Sequence, residues 1–320
     1  MVLAPAPQLT VTIEERGGAP DIHLHAGGQG VWQSRMITSL GVPVVMCTTL
    51  GGETGRVLEP LLTHEGVDLR VVSVDACNGA YVHDRRGGTR VDIAEQPDQP
   101  LNRHSLDELY GLALGEGLRA GVTVLAGTAD PRTVPPDMYR RLAHDLGRNG
   151  CPVVADLAGD HLTAVLAGGV RFVKVSHEEL INDGRAAGDD RRDLVHALLT
   201  LREDGAHAAV VSRAERPALA LLDDGVFEVV MPALEVADPR GAGDSMTAGV
   251  AAVLARGGDL ATAVRTGAAA GALNVTRHGL GTGRAKAVAE LLDRVELVPL
   301  MDKPARSASL GELTARTRRH

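Results

Sequence analysis

A chain of 320 residues, 44% of them hydrophobic, has enough apolar material for one large α/β domain or two smaller ones. With two Phe, three Tyr and one Trp its core has to be aliphatic, and a formal charge of −8 with dispersed basic residues argues against a nucleic-acid partner. Cys47, Cys77 and Cys151 contain no CxxC pair and suggest neither a disulfide framework nor a zinc site, and no apolar run approaches the roughly 18 residues of a membrane span.

The start MVLAPAPQLTV lacks the basic residues and apolar core of a signal peptide, so a soluble protein in a reducing cytoplasm is expected. Over the first hundred residues LTVTIE, DIHLHA, the segment near GAYVHD and TRVDIA alternate apolar with polar residues, as half-exposed strands do, around a helix from about Gly30 to Leu40. These strands, from about 8–25 and 78–95, predict a small sheet with one open face that serves as a lid or a dimer surface, because its edge has to be covered.

From about residue 120 the pattern changes. Continuous apolar runs (VTVLAG, PVVADLAG, VRFVKVS, HAAVVS) alternate with helical stretches such as PDMYRRLAHDLG and Arg191 to Glu203, the signature of a parallel sheet covered on both faces. Ligands of such sheets bind beyond the carboxyl ends of the strands, which points to Gly127-Thr128, Asp156, Lys174 to Ser176 and Ser212-Arg213, each of which equally suits a strand-end turn. Lys174 is notable because only three of the 33 basic residues are lysines.

Next comes DPRGAGDSMTAG, Asp238 to Gly249, in which Gly241-Ala242-Gly243 opens a helix that Gly257-Gly258 ends. Free amides and the helix dipole make this N-terminus an anion site, and Asp244 within it reads either as the start of a helix or as a base that activates an alcohol for attack on a phosphoryl group. After VELVPL, residues 301–320 carry Pro, Ser and scattered Arg, and a disordered tail is expected behind a single domain at 1–300.

GAGDSM at 241–246 resembles the C-terminal signature of the ribokinase-like (phosphofructokinase B type) sugar kinases, HAGGQG at 25–30 looks like their N-terminal glycine signature, and VKVSHEEL at 173–180 is similar to their lysine-proline-asparagine segment. The motifs stand in the family's order, and the resemblance leans toward the branch with 1-phosphofructokinase and tagatose-6-phosphate kinase. It implies a ribokinase-like fold, a mostly parallel central sheet with helices on both faces and a small β lid, together with ATP, Mg²⁺ and transfer of the γ-phosphate to a hydroxyl of a small sugar or sugar-phosphate-like substrate. On it Asp244 is the base, Gly241, Ala242, Gly243 and the Asp244 amide form the anion hole, Glu179 organises Mg²⁺ through water, Lys174 lies near the nucleotide and Asn274 approaches the adenine. It places Gln8, Gly27, Gly28, Gln29, Gly30 and Trp32 at the substrate, and a homodimer through the lid.

The sequence departs from that family where substrate is read. Ala4 and Gln8 replace the family's Asn and Asp, Gln29 its lysine and Trp32 an asparagine, while a lid arginine falls near Asn78. Without that charge the acceptor reads as an unphosphorylated polyol, sugar or nucleoside-like alcohol, with Trp32 either stacking on a ring or packing in the core. On the nucleotide side Arg213-Ala214-Glu215-Arg216-Pro217 replaces a glycine-containing loop, so that Ser212, Arg213 and Glu215 face the phosphates, and Arg240 supplies charge beside the anion hole. A sugar- or nucleotide-binding sensor is the alternative reading. An oxidoreductase is set aside, because GGQG lacks G-x-G-x-x-G spacing and opens no βαβ unit.

Overall fold

The computed structural model describes residues 1–232, 234–277 and 280–302. The first third of the chain alternates between two sheets. β1 (Val2–Leu3) belongs to the large one, and β2 (Gln8–Arg16) and β3 (Ala19–Gly27) to the small one. After α1 (Gln29–Ser39), β4 (Val45–Gly51), α2 (Gly52–His64) and β5 (Asp68–Val74) return to the large sheet, and β6 (Ala80–Asp84) and β7 (Val91–Gln96) complete the small one.

A regular alternation follows: α3 (Arg103–Gly117), β8 (Thr123–Ala126), α4 (Pro136–Arg148), β9 (Val153–Asp156), α5 (Gly159–Gly168), β10 (Val170–Ser176), α6 (His177–Asn182), α7 (Arg191–Glu203) and β11 (Ala206–Arg213). Antiparallel β12 (Arg216–Leu222) and β13 (Gly225–Val230) lead to α8 (Ala242–Ala255), α9 (Leu260–Val275), α10 (Ala285–Leu292) and β14 (Glu296–Asp302). The large sheet runs in the order β14-β13-β12-β11-β10-β9-β8-β1-β4-β5, parallel from β11 to β5. Since β14 includes Met301 and Asp302, the expected tail reduces to 303–320, which lies outside the described residues.

Two apolar layers hold this sheet. One joins α1, α8 and α9 through Val31, Met36, Met246, Val250 and Ala268; the other joins α3 to α7 through Leu109, Leu142, Leu162, Leu180 and Leu198. A strand covered on both sides has no polar face to offer, which is why β8 and β9 are buried at every position. Where α8 crosses α9, a Cβ on Gly249 would lie 2.6 Å from the Gly267 Cα, so the backbones approach to a distance that only glycine allows.

The small sheet, β3-β2-β6-β7, pairs β2 with β6 in parallel and is otherwise antiparallel. Its distal part leaves Ile22, Leu24, Val91 and Ile93 exposed. Asn78 fastens it to the large sheet: its side chain accepts from the Gly51 amide at 2.9 Å and donates to the Thr49 carbonyl at 3.0 Å. That engagement leaves Asn78 no part in gripping a substrate anion.

Candidate active site

The carboxyl edge of the parallel strands gathers the charged groups. Asp156 ends β9 with Lys174 in register beside it on β10, and Lys174 Nζ donates to Asp156 Oδ1 at 3.3 Å. The other carboxylate oxygen accepts from Gln33 Nε2 of α1 at 3.1 Å and from Thr247 Oγ1 of α8 at 2.7 Å. Gln33 Nε2 also lies 3.5 Å from Asp244 Oδ1. Asp156, 1% exposed, thus ties two strands and two helices together, because a buried carboxylate has to have its lone pairs filled.

Helix α8 starts from Gly241 in the left-handed conformation (φ 71°), and no side chain caps it. Asp244 stands three residues into that helix with its carboxylate turned to Gln33, so it is not serving as the cap. A Cβ on Gly243 would lie 2.5 Å from Lys174 Nζ, and glycine there lets the ammonium rest against the first turn. Three carboxylates share that ammonium. Burial, then the neighbouring Asp156, raises the Asp244 carboxyl to about 7, while Lys174 and the Gln33 hydrogen bond pull it back. Burial by itself would lower Lys174, but Asp156, Glu179 and Asp244 outweigh it and hold the ammonium charged. A carboxyl poised near neutrality beside a buried cation is a functional pattern.

A cleft of about 340 Å³ opens beside this group, lined by Gln8, Gly28, Gln29, Gly30, Trp32, Thr128, Asp156 and Glu179 among others. Among the described residues no lysine or arginine lines it. Ser176 caps α6 in a capping box with Glu179, whose Oε2 accepts the Ser176 amide at 2.7 Å while Ser176 Oγ accepts the Glu179 amide at 3.1 Å.

Residues 8–287 match the sequence profile of the pfkB family of carbohydrate kinases. The chain belongs to that family. It is 28% identical over 259 residues to the ATP-dependent 6-phosphofructokinase isozyme 2 of Escherichia coli (79% of this chain, 82% of that protein) and 26% identical over 279 residues to the 1-phosphofructokinase of Bacillus subtilis (86% and 89%). In fold it is similar to the crystal structure of phosphofructokinase-2 from E. coli in complex with potassium (TM-score 0.81, 24% identity, 91% of this chain and 97% of that one). It also resembles an Arabidopsis thaliana ribokinase complexed with ribose and ATP (TM-score 0.68, 20% identity, 91% and 97%).

In this pfkB-family kinase the structure brings together Gly241, Ala242, Gly243, Asp244, Lys174 and Glu179 from the C-terminal half with Gln8, Gly28, Gln29, Gly30 and Trp32 from the N-terminal half. Four side chains stand elsewhere than the sequence suggests. Arg213 is 6% exposed and donates to the Pro217 carbonyl at 2.6 Å and to Glu228 at 2.9 Å, which fixes it inside the β11–β13 ribbon rather than on a phosphate. Glu215 is exposed in a two-residue turn whose Ala214 has φ 50°. Asn274 is fully buried, its amide donating to the Arg240 carbonyl at 2.7 Å and accepting from the Gly281 amide at 2.9 Å; it joins two loops and, with no exposed surface, does not face an adenine site. Arg240 turns back onto Asp238, its Nε 2.9 Å from Oδ1, instead of pointing into the anion hole. Ser212 lies in register beside Ser176, its carbonyl 3.3 Å from His177 Nδ1.

Gln29 and Gly27 also have structural work. Gln29 Oε1 accepts the Gly127 amide at 2.6 Å, and Gly27 pairs with Gln8 across the hairpin. Among the described residues no group of three or more His, Cys, Asp or Glu is arranged to hold a metal ion. Glu179, with one oxygen engaged by Ser176, fits Mg²⁺ through water better than directly, as an ion that keeps its waters allows.

Sequence reasoning missed Gln33 and Thr247, although helical spacing carries a signal for both: Gln33 follows Gly30 by three and Gln29 by four, and Thr247 follows Asp244 by three. It also missed Asp98, which has no local signal. Asp98 accepts the Gly79 amide at 2.6 Å and stands 3.5 Å from Gln8 Nε2; burial raises it to about 6 against the pull of that amide. The carboxylate that position 8 lacks stands directly behind it.

Proposed function

We propose that this kinase moves the γ-phosphoryl group of ATP, with Mg²⁺, onto a hydroxyl of an uncharged sugar or polyol. The observation that carries the choice of acceptor is the cleft lining, in which the only full charges among the described residues are the carboxylates of Asp156 and Glu179. A sugar phosphate needs desolvated Arg or Lys donors, whereas an uncharged acceptor asks only for hydrogen bonds.

Asp244 takes the proton of the acceptor hydroxyl, a transfer that a carboxyl held near 7 performs at neutral pH. The amides of Ala242, Gly243 and Asp244 and the Lys174 ammonium stabilise the charge that develops on the transferred group. The uncapped helix start and the Lys174 ammonium packed on Gly243 support phosphate binding there. ATP supplies the phosphoryl group; Glu179 would help hold Mg²⁺, which would offset the phosphate charge. Asp156, Gln33 and Thr247 keep the base and the ammonium in place.

The use of ATP puts the work in the cytoplasm. A second copy, packed through the exposed apolar residues of the small sheet, makes the homodimer, and that sheet then acts as the lid.

The test is Asp244→Asn, with transfer assayed against neutral sugars, polyols and their phosphates. Turnover should fall about 10²–10⁴-fold while folding and nucleotide binding persist. Retained turnover would overturn the base, and a preference for sugar phosphates would overturn the acceptor.

A further inference from the structure

One side of the small sheet has a composition that the reaction above leaves unexplained. Residues alternate along β2, so Gln8, Thr10 and Thr12 share a side, and the register adds Tyr81 and His83 of β6. This side continues the cleft wall, since Gln8 lines the cleft. It also fronts the loop before α8: Arg85, next after β6, donates to Asp238 Oδ2 at 3.1 Å, and Arg240 follows two residues later.

Three residues of this side are buried, Thr10 and Thr12 each 6% exposed and His83 4%, while His25, opposite Thr10 on β3, is exposed. Buried strand positions are ordinarily apolar, and these three are polar. Thr12 Oγ1 lies 3.1 Å from His83 Nε2, which leaves His83 Nδ1 without a partner, and Thr10 Oγ1 has none either. Thr10 Oγ1 stands over Gly27, where a Cβ would lie 2.6 Å from it and 3.6 Å from Tyr81 Oη. Buried polar atoms without partners are uncommon, and these two share the side of the sheet on which Gln8 lines the cleft.

We propose that Thr10 and His83, continuing from Gln8, read the hydroxyls of the acceptor remote from the phosphorylated one, and so select an extended polyhydroxylated molecule. The inference rests on the uncharged acceptor proposed above and deepens it. From Gln8 to Thr10 the strand advances roughly 7 Å, a span that suits a six-carbon sugar or alditol. A hydroxyl both donates and accepts, so it satisfies His83 Nδ1 in either tautomer and the Thr10 hydroxyl in either orientation. Burial, then the nearby Arg90, Arg85 and Arg240, lowers the His83 pKa and so favours the neutral ring.

Calorimetric binding of a hexitol, of its analogue lacking one terminal hydroxyl, and of glycerol to wild type, Thr10→Val, Thr10→Ser and His83→Leu tests this. Thr10→Val and His83→Leu should each weaken hexitol binding about tenfold, about the value of one hydrogen bond, and lessen the discrimination against the deoxy analogue. The loss should fall on KM rather than kcat, and Thr10→Ser should restore binding; thermal unfolding should hold for Thr10→Val, which exchanges an unpartnered polar atom for an apolar one, whereas His83→Leu also loses the Thr12 hydrogen bond and should melt lower. Wild-type-like hexitol binding by both variants would overturn this inference and leave the proposed function standing. A wild type that binds sugar phosphates and no neutral polyol would overturn both.

Discussion

The carboxyl of Asp244 is the residue on which the chemistry turns, and its environment makes a pH prediction. Its folded pKa, about 7, lies above the ordinary 3.8 of an exposed carboxyl. The unfolded chain therefore gives up this proton first, and the stability linked to Asp244 falls as pH rises across that window. Asp244→Asn escapes the loss, so its melting temperature should exceed that of wild type at pH ~8, with the gap closing near pH ~4. Activity has the opposite sign, since only the deprotonated group accepts a proton: kcat/KM should fall on the acid side with a midpoint near 7. Gln33 is a positioning residue whose hydrogen bond lowers the Asp244 pKa, so Gln33→Leu should move that midpoint to higher pH in a pH–rate profile.

At the scale of elements, α8 is fixed at its N-terminus by Lys174 and along its length by α9, and the two constraints predict different losses. Gly243→Ala puts a methyl 2.5 Å from Lys174 Nζ, the far end of a flexible side chain. The chain should fold at close to the wild-type melting temperature while turnover drops, because the ammonium is displaced from the helix start. Gly267→Val meets the Met246 carbonyl at 2.6 Å and the Val250 side chain at 3.1 Å, neither able to yield. Overpacking of that kind costs about 1–3 kcal/mol, read as a lower midpoint in urea unfolding with activity per folded molecule retained.

At the scale of the molecule, the small sheet is the part with an uncovered apolar surface. Ile22 is 63% exposed, Val91 58% and Ile93 56%, on edge strands that would otherwise invite uncontrolled pairing. If a second copy covers them, Leu24→Lys with Ile93→Lys should sediment at about half the wild-type mass, the expected change from dimer to monomer for one C₂ interface. An unchanged mass would show that these residues do not form the contact.

By itself the sequence determined the α/β architecture and the position of the anion-binding helix start. Runs such as VTVLAG and VRFVKVS bury both their faces, and Gly241-Ala242-Gly243-Asp244 is contiguous, so local pattern is enough for both. Only the tertiary structure decided which side chains are free to act. Arg213 and Asn274 look like ligands in the chain and are taken up by Glu228 and by two loop backbones, whereas Gln33 and Thr247 look ordinary and hold the carboxylates that matter. The hydrogen bonds of Asp156 to Gln33 and Thr247 span 123 and 91 residues of sequence. Whether a polar group is engaged depends on such long-range partners, and these exist only once the sheet has brought the ends of its strands together.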